Sequence, residues 1–494
     1  MNEKSTPVSL PRVLGPWMAA ALVVGTVIGS GVFRKGRNVA ENVPEFGLAI
    51  GVWILGGLLA LLGSLAIAEV AGRFPRAGGN YVFLREAYGR LFGFLWGWVE
   101  FGIIKTASIA VLATMFTDSL HNVFQLAFRT TGEVIAFWPR QGITIAVIAV
   151  LSLVNARGTR LGAGVQMVLT ILKVGSLIGL ALLPLLVLAF VADPHPRPTA
   201  TNMAPLWPSD WAQVNWGKFG AAVVAVLWAY HGWMNLSTMA EDVKEPQRNL
   251  PLGLLGGVLV LIVLYVSANV AFYSTVPQPE MAGLGNTPVA TEFCFRLIGA
   301  AGTIVASAIV MTSVFGALNG NILVAPRLLY AMGDDGLAPK RLRKLHPRYR
   351  TPARAMGVYA VWSIVLVLAG GILKHYGLPA FDLGFGPVDL NVPEKKTLFD
   401  VLTDFAMFGA VSFETLAVAS LFVFRFRDPG RDLAYRCPGY PVVPALYVLI
   451  MAAVLANMFL NPEQSTEAIF GVAFVAVGVG VYFAIGRFTS PKRV

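Results

Sequence analysis

WMAAALVVGTVIGSGVFRKGRNVAENV, residues 17–43, is an apolar helical run that breaks at Gly29-Ser30-Gly31 and then resumes with a polar, basic second half. Backbone freed from a helix at membrane depth has no partner in hydrocarbon, so a break is tolerated only where it lines a cavity. The break therefore marks a candidate ligand site. Glycine lets the chain leave helical geometry and lets a ligand approach the backbone, and Ser30 adds a hydroxyl. Amides at the start of the second half-helix face outward as an anion site suited to a carboxylate. The competing reading is close helix packing, which small residues also serve.

The rest of the chain supports membrane depth. Its 494 residues are 56% hydrophobic and 13% charged, with a mean hydropathy of +0.67. A soluble domain of this size is far more polar. Apolar runs of about 20 residues, each able to cross a hydrocarbon core, recur twelve times. The start, MNEKSTPVSLPR, is polar, and no small-residue cleavage site follows it, so no cleavable leader is expected. With that terminus inside, the 38 Lys and Arg divide into 25 in inside segments, 11 outside and 2 within spans. The net charge of +11 is thus positive-inside bias and not a nucleic-acid surface. Its densest cluster, Lys340 to Arg354, can also meet anionic lipid. The only cysteines, Cys294 and Cys437, are assigned to opposite sides of the membrane, so no disulfide framework is expected.

Charges inside the spans are costly and therefore informative. Glu100 and Lys105 in the third span lie five apart, about 140° round an α-helix, so separate partners are as reasonable as a direct pair. Lys173 stands alone in the fifth span between VLTIL and VGSLIGL, and must find a counter-charge or a carbonyl cage, or release its proton. It is read either as a fixed tie between helices or as a charge replacing a coupling cation. Glu414 in the tenth span is a candidate partner for Lys105 or Lys173, or a proton carrier. In the eighth span Thr312, Ser313, Asn319 and Asn321 read as interhelical glue ahead of cavity lining.

The sixth span repeats the logic of the first. Its run AAVVAVLW is interrupted at Ala229-Tyr230-His231-Gly232 before resuming as WMNLSTMAEDV. Five spans separate the breaks, so the two broken helices run in opposite directions, the signature of an inverted repeat. The carbonyl end of the outer part of the sixth then suits an ammonium group, opposite amides that suit a carboxylate. Together these are the two ends of a zwitterion. The expected domains are an inner tail at 1–12, a first five-helix repeat at 13–191, an outer loop at 192–215 and a second repeat at 216–426. Helices 11 and 12 follow at 427–488, then a tail at 489–494.

GTVIGSGVF, FPRAGGNYVFLREAYG, WGWVEFGIIKTAS, VQMVLTILK, LWAYHGWMNLSTMAEDVKEPQRNLP, FGALNGNILVAPRLLYAMGDDGLAP and YRCPGYPVVP occur in this order along nearly the whole chain. In these motifs the sequence resembles the amino acid–polyamine–organocation superfamily, within it the L-type amino acid transporter group and its bacterial relatives. The resemblance implies an all-α membrane protein of twelve transmembrane helices. These form a five-plus-five, LeuT-like inverted repeat with discontinuous helices 1 and 6 and two added C-terminal helices. It implies a carboxylate site at the amides of Ser30 and Gly31 and the Ser30 hydroxyl, and an amino-group site at the carbonyls of Val27, Trp228 and His231. The remaining residues of the two breaks, Ile28, Gly29, Ala229, Tyr230 and Gly232, complete the expected substrate set, and Trp228 resembles the family's aromatic gate. A lysine at the position of Lys173 implies sodium independence. Glu100 and Lys105 match an acid and a base of the third helix, with Ser108 beside them as a further pathway candidate.

Three features depart from the pattern. His231 stands where relatives often carry a small or acidic residue, which disfavours cationic substrates and makes pH-dependent transport an expectation, since imidazole as a side-chain type changes charge nearest physiological pH. Its alternative role is a hydrogen bond to the unwound backbone. Arg34, Lys35 and Arg37 either draw anions toward the outer vestibule or, as favoured here, are simply solvated near Glu41. Heavy-chain-linked relatives in the family use a cysteine between the third and fourth helices, and none occurs between Gly89 and Arg140, so the resemblance implies no disulfide-linked heavy chain. The resulting expectation is a secondary transporter of neutral amino acids in the plasma (inner) membrane, with both termini cytoplasmic. It needs no cofactor or metal and is not an enzyme, its partners being substrate and the lipid bilayer. A polyamine or organic-cation carrier and a transport-inactive amino acid sensor are the alternatives.

Overall fold

The computed structural model describes residues 10–128, 130, 132–191, 198–285, 287–376, 381–382, 387–388, 398–462 and 464–488. The expected tail at 489–494, most of the one at 1–12 and part of the outer loop at 192–215 lie outside them. The described chain is helical: α1 (Pro16–Val27), α2 (Gly31–Asn42), α3 (Phe46–Arg73), α4 (Asn80–Tyr88) and α5 (Arg90–Val99) lead into a π-helical turn, Glu100–Ile104. Then come α6 (Lys105–Ala127), α7 (Phe137–Ala156), α8 (Thr159–Phe190), α9 (Trp216–Tyr230), α10 (Asn235–Thr238), α11 (Pro246–Thr275), α12 (Gln278–Ala282), α13 (Val289–Val324) and α14 (Pro326–Asp334). The last are α15 (Ala353–Tyr376), α16 (Leu398–Arg427), α17 (Val442–Leu460) and α18 (Ser465–Phe488). One two-residue antiparallel ladder joins Phe381–Asp382 to Pro387–Val388.

Among the described residues, ten helical stretches are long and apolar enough to cross a bilayer, or eleven when the bent pair α1–α2 is counted as one. The sequence reading of twelve exceeds this by one. Its sixth segment is cut at residue 231, leaving α9 with 15 residues, short of the ~20 that a spanning helix needs.

α1 begins on Pro16, whose fixed φ and missing N–H suit a first turn. It ends when Ile28 turns extended, and α2 leaves at 44° from Ser30. α9 runs through Tyr230, so Ala229 and Tyr230 remain helical and the irregular backbone starts at His231. There Gly232 takes φ +104°, a conformation that any side chain would strain. These breaks sit in the core. α1 packs on α8, α11 and α13, and α2 packs on α9. α17 and α18 flank α16, with fewer buried positions.

Candidate functional site

The two breaks meet. Thr26, Val27, Gly29, Ser30 and Gly31 from the first, and Trp228, His231, Gly232 and Asn235 from the second, line one cavity with Lys105, Ser108, Leu112, Ala317 and Asn321. Its volume is ≈ 30 Å³, room for water and not for an amino acid. Side chains at its wall must therefore move to admit a larger solute. The backbones are as close as they can be: a Cβ on Gly31 would stand 2.5 Å from Ala229 Cα. Tyr265 of α11 fixes this seam by donating to both Val27 O and Ala229 O, at 3.1 Å each.

The break also has a second, cationic side. Lys173 of α8 is 1% exposed and donates to Gly25 O at 2.7 Å and Ile28 O at 2.6 Å, which is the carbonyl cage rather than a carboxylate partner. Ser313 of α13 donates to Ile28 O and Gly29 O, both at 3.2 Å. The Lys173 amine thus satisfies carbonyls at the end of α1, where the aligned peptide dipoles favour positive charge. Thr312, half-buried one residue before Ser313, lies outside the cavity lining. Asn319 acts as glue, donating to Gln166 Oε1 at 2.9 Å and accepting from Asn155 Nδ2 at 2.9 Å.

Glu100 and Lys105 form one unit, for a reason not legible in α-helical spacing. Residues 100–104 are π-helical, with Lys105 N–H bonded to Glu100 O, and the wider turn brings the two side chains to 3.9 Å. Lys105 Nζ also donates to Asn235 Oδ1 at 2.7 Å, tying this turn to the second break. Ser108 lines the cavity while donating to Ile104 O at 2.6 Å.

Glu414 partners neither lysine by direct contact. Its Oε1 lies 3.3 Å from Nδ1 of His231, and both side chains are nine-tenths buried or more. The imidazole stacks on the Trp228 indole with centroids 6.2 Å apart and planes at 11°. Neither imidazole nitrogen makes an aligned hydrogen bond, so the expected alternative role, a histidine bonded to unwound backbone, does not hold. The solvated reading of the basic trio also needs correction at Lys35. That residue is 1% exposed and donates to Thr403 Oγ1 at 2.9 Å, because its face of α2 packs inward. Arg34 and Arg37 are half-buried, and Arg37 reaches Glu41 at 3.6 Å and Gly285 O at 2.9 Å. Outside the spans, burial pushes the Cys437 thiol up to about 11, which leaves it unreactive. Sequence reasoning missed Tyr265, Asn235 and the π turn; only the lone polar residues in apolar runs hinted at the first two.

Fold and site together define a helical integral membrane protein whose polar cavity is built from backbone at two helix breaks. Comparison with known proteins gives this class its family. A sequence model described as "Amino acid permease" matches residues 14–482, and the chain belongs to that family, within the amino acid–polyamine–organocation superfamily. It is 30% identical to the serine/threonine exchanger SteT of Bacillus subtilis, over 97% of this chain and 98% of the relative. It is 28% identical to the human b(0,+)-type amino acid transporter 1, over 98% and 89% of the two chains. The human cystine/glutamate transporter is 25% identical, over 96% and 85%.

Proposed function

We propose that the chain is a sodium-independent secondary transporter of neutral amino acids, moving them by exchange or proton-linked uptake through alternating access. The observation that carries this is the meeting of the two breaks. The start of α2 offers amides to a carboxylate, while the ends of α1 and α9 offer carbonyls to an ammonium. Val27, Trp228 and His231 supply the ammonium side, and Ser30 and Gly31 the carboxylate side. Lys173 occupies the remaining carbonyls as a built-in cation, which is the ground for sodium independence.

Counting the broken sixth segment gives twelve crossings. Exchanging the two five-helix sets maps several packing partners onto one another: α3 on α11, α6 on α13 and α7 on α15 are each a helix against its counterpart. This supports the inverted repeat and the boundaries at 13–191 and 216–426. The similarity to a serine/threonine exchanger supports exchange.

The test is a binding screen of the purified chain against the twenty amino acids and common polyamines, followed by flux in proteoliposomes. Neutral amino acids are expected to bind and to exchange without sodium. Binding that survives loss of the α-carboxylate would favour a polyamine carrier. Binding without flux would make the chain a sensor.

A further inference from the structure

His231 touches two cavities. It lines the one between the breaks and also a smaller chamber behind α9, of ≈ 10 Å³, walled by Leu59, Tyr230, Met407, Glu414 and Tyr447. Both of its nitrogens are buried without an aligned partner, and so are the hydroxyls of Tyr230 and Tyr447. Such orphaned polar groups are costly and call for an explanation at each site. Around His231 the ionisable neighbours are Glu414 on α16, Glu100 and Lys105 on the π turn and α6, and Tyr447 on α17. The facing residues of α3, Leu59 and Ala60, carry no charge. Lys173 is held by carbonyls of the α1 break.

We propose that His231 and Glu414 form a proton-binding site that competes with the substrate's ammonium group. Lys105 is held by Glu100 and Asn235, so among the described residues the one cation that can stand against Glu414 is a protonated His231. One further cation completes this site. At low pH it is the proton on Nδ1 of His231, 3.3 Å from Glu414. When an amino acid enters, its ammonium lies at the carbonyls of Trp228 and His231 and supplies the same charge, and the imidazole proton leaves to solvent. The Trp228 ring, parallel to the imidazole, connects the event to the cavity wall that must yield. This inference rests on the amino acid site proposed above. It adds the identity of the competing ion.

The experiment repeats the amino acid screen at about pH 5.5 and about pH 7.5, the range in which an imidazole changes charge and a neutral amino acid does not. Wild type, His231→Asn and Glu414→Gln are compared, and a pH dye in weak buffer follows proton release. Wild type is expected to bind about tenfold more weakly at the lower pH, one pK unit of linkage, and to release a proton on binding. In both variants the ratio of Kd values is expected to fall below about twofold. Should one variant not purify as a monodisperse protein, the other decides. A wild-type Kd equal at both pH values, or a ratio that persists in the variants, overturns the inference and leaves the transport reading intact. No amino acid binding at either pH overturns the transport reading itself.

Discussion

At the scale of single residues, the site depends on what is missing at Gly31 and what is present at Lys173. A side chain at 31 collides with Ala229 backbone at 2.5 Å, which cannot yield as a flexible side chain does. Gly31→Val is therefore expected to push α2 off α9, abolish amino acid binding in calorimetry and cost roughly 1–3 kcal/mol of stability. Wild-type affinity in that variant would show that the site is elsewhere. Lys173→Met removes the donor from Gly25 O and Ile28 O and leaves buried carbonyls at the end of α1. A buried polar group left unsatisfied costs about 1–3 kcal/mol, so a loss of that order is expected in thermal unfolding, together with loss of uptake. Wild-type uptake should be unchanged when sodium is replaced by choline. A requirement for a sodium gradient would contradict the role given to the lysine.

At the scale of elements, the π turn at Glu100–Ile104 sets the geometry that residues alone do not. Its i→i+5 bonding inserts one residue relative to an α-helix, and that extra residue lets Lys105 reach both Glu100 and Asn235. Lys105→Met is expected to remove both ties while leaving the backbone of the turn in place. Uptake is then lost while circular dichroism stays helical; retained uptake would show that the Lys105–Asn235 tie is dispensable. The contrast shows what was legible. Both helix breaks could be read because glycine and polar residues interrupt long apolar runs, a local signal that the cost of bare backbone in lipid makes strong. The π turn could not, since EFGII carries no local mark and its geometry is set by packing. Nor could the burial of Lys35, whose partner Thr403 lies 368 residues away. The sixth apolar run was legible in hydropathy, but its break was not placed to the residue, and that break leaves a described helix of 15 residues, shorter than the run suggests.

At the scale of the whole molecule, the alternating access proposed above requires closures at each end of the bundle that can be broken and remade, and one end has a buried tie suited to that role. Residues 10–14 strap across it: Val13 and Leu14 N–H donate to Asp242 O at 2.9 and 3.0 Å, and Lys244 N–H donates to Leu14 O at 2.9 Å. The approach to α1 is thus tied by backbone to the segment after α10, and the two broken helices share one latch. Asp242 anchors that latch through its side chain, 3.3 Å from Arg327 of α14, with both side chains fully buried, and Arg327 also donates to Thr159 of α8 at 2.8 Å. Removing one partner leaves an uncompensated buried charge, so Arg327→Met and Asp242→Asn should each cost about 3–5 kcal/mol in thermal unfolding. The double variant removes both charges and should cost clearly less than the sum of the two, a coupling that a double-mutant cycle reads directly. If the pair is the latch, the double variant also makes a cysteine introduced at Leu14 react faster with a soluble thiol reagent. Additive costs with unchanged reactivity would mean that the strap is held by its backbone bonds alone, and that the closure must be sought in the contacts of Glu69 with Arg73 and Arg425 at the same end.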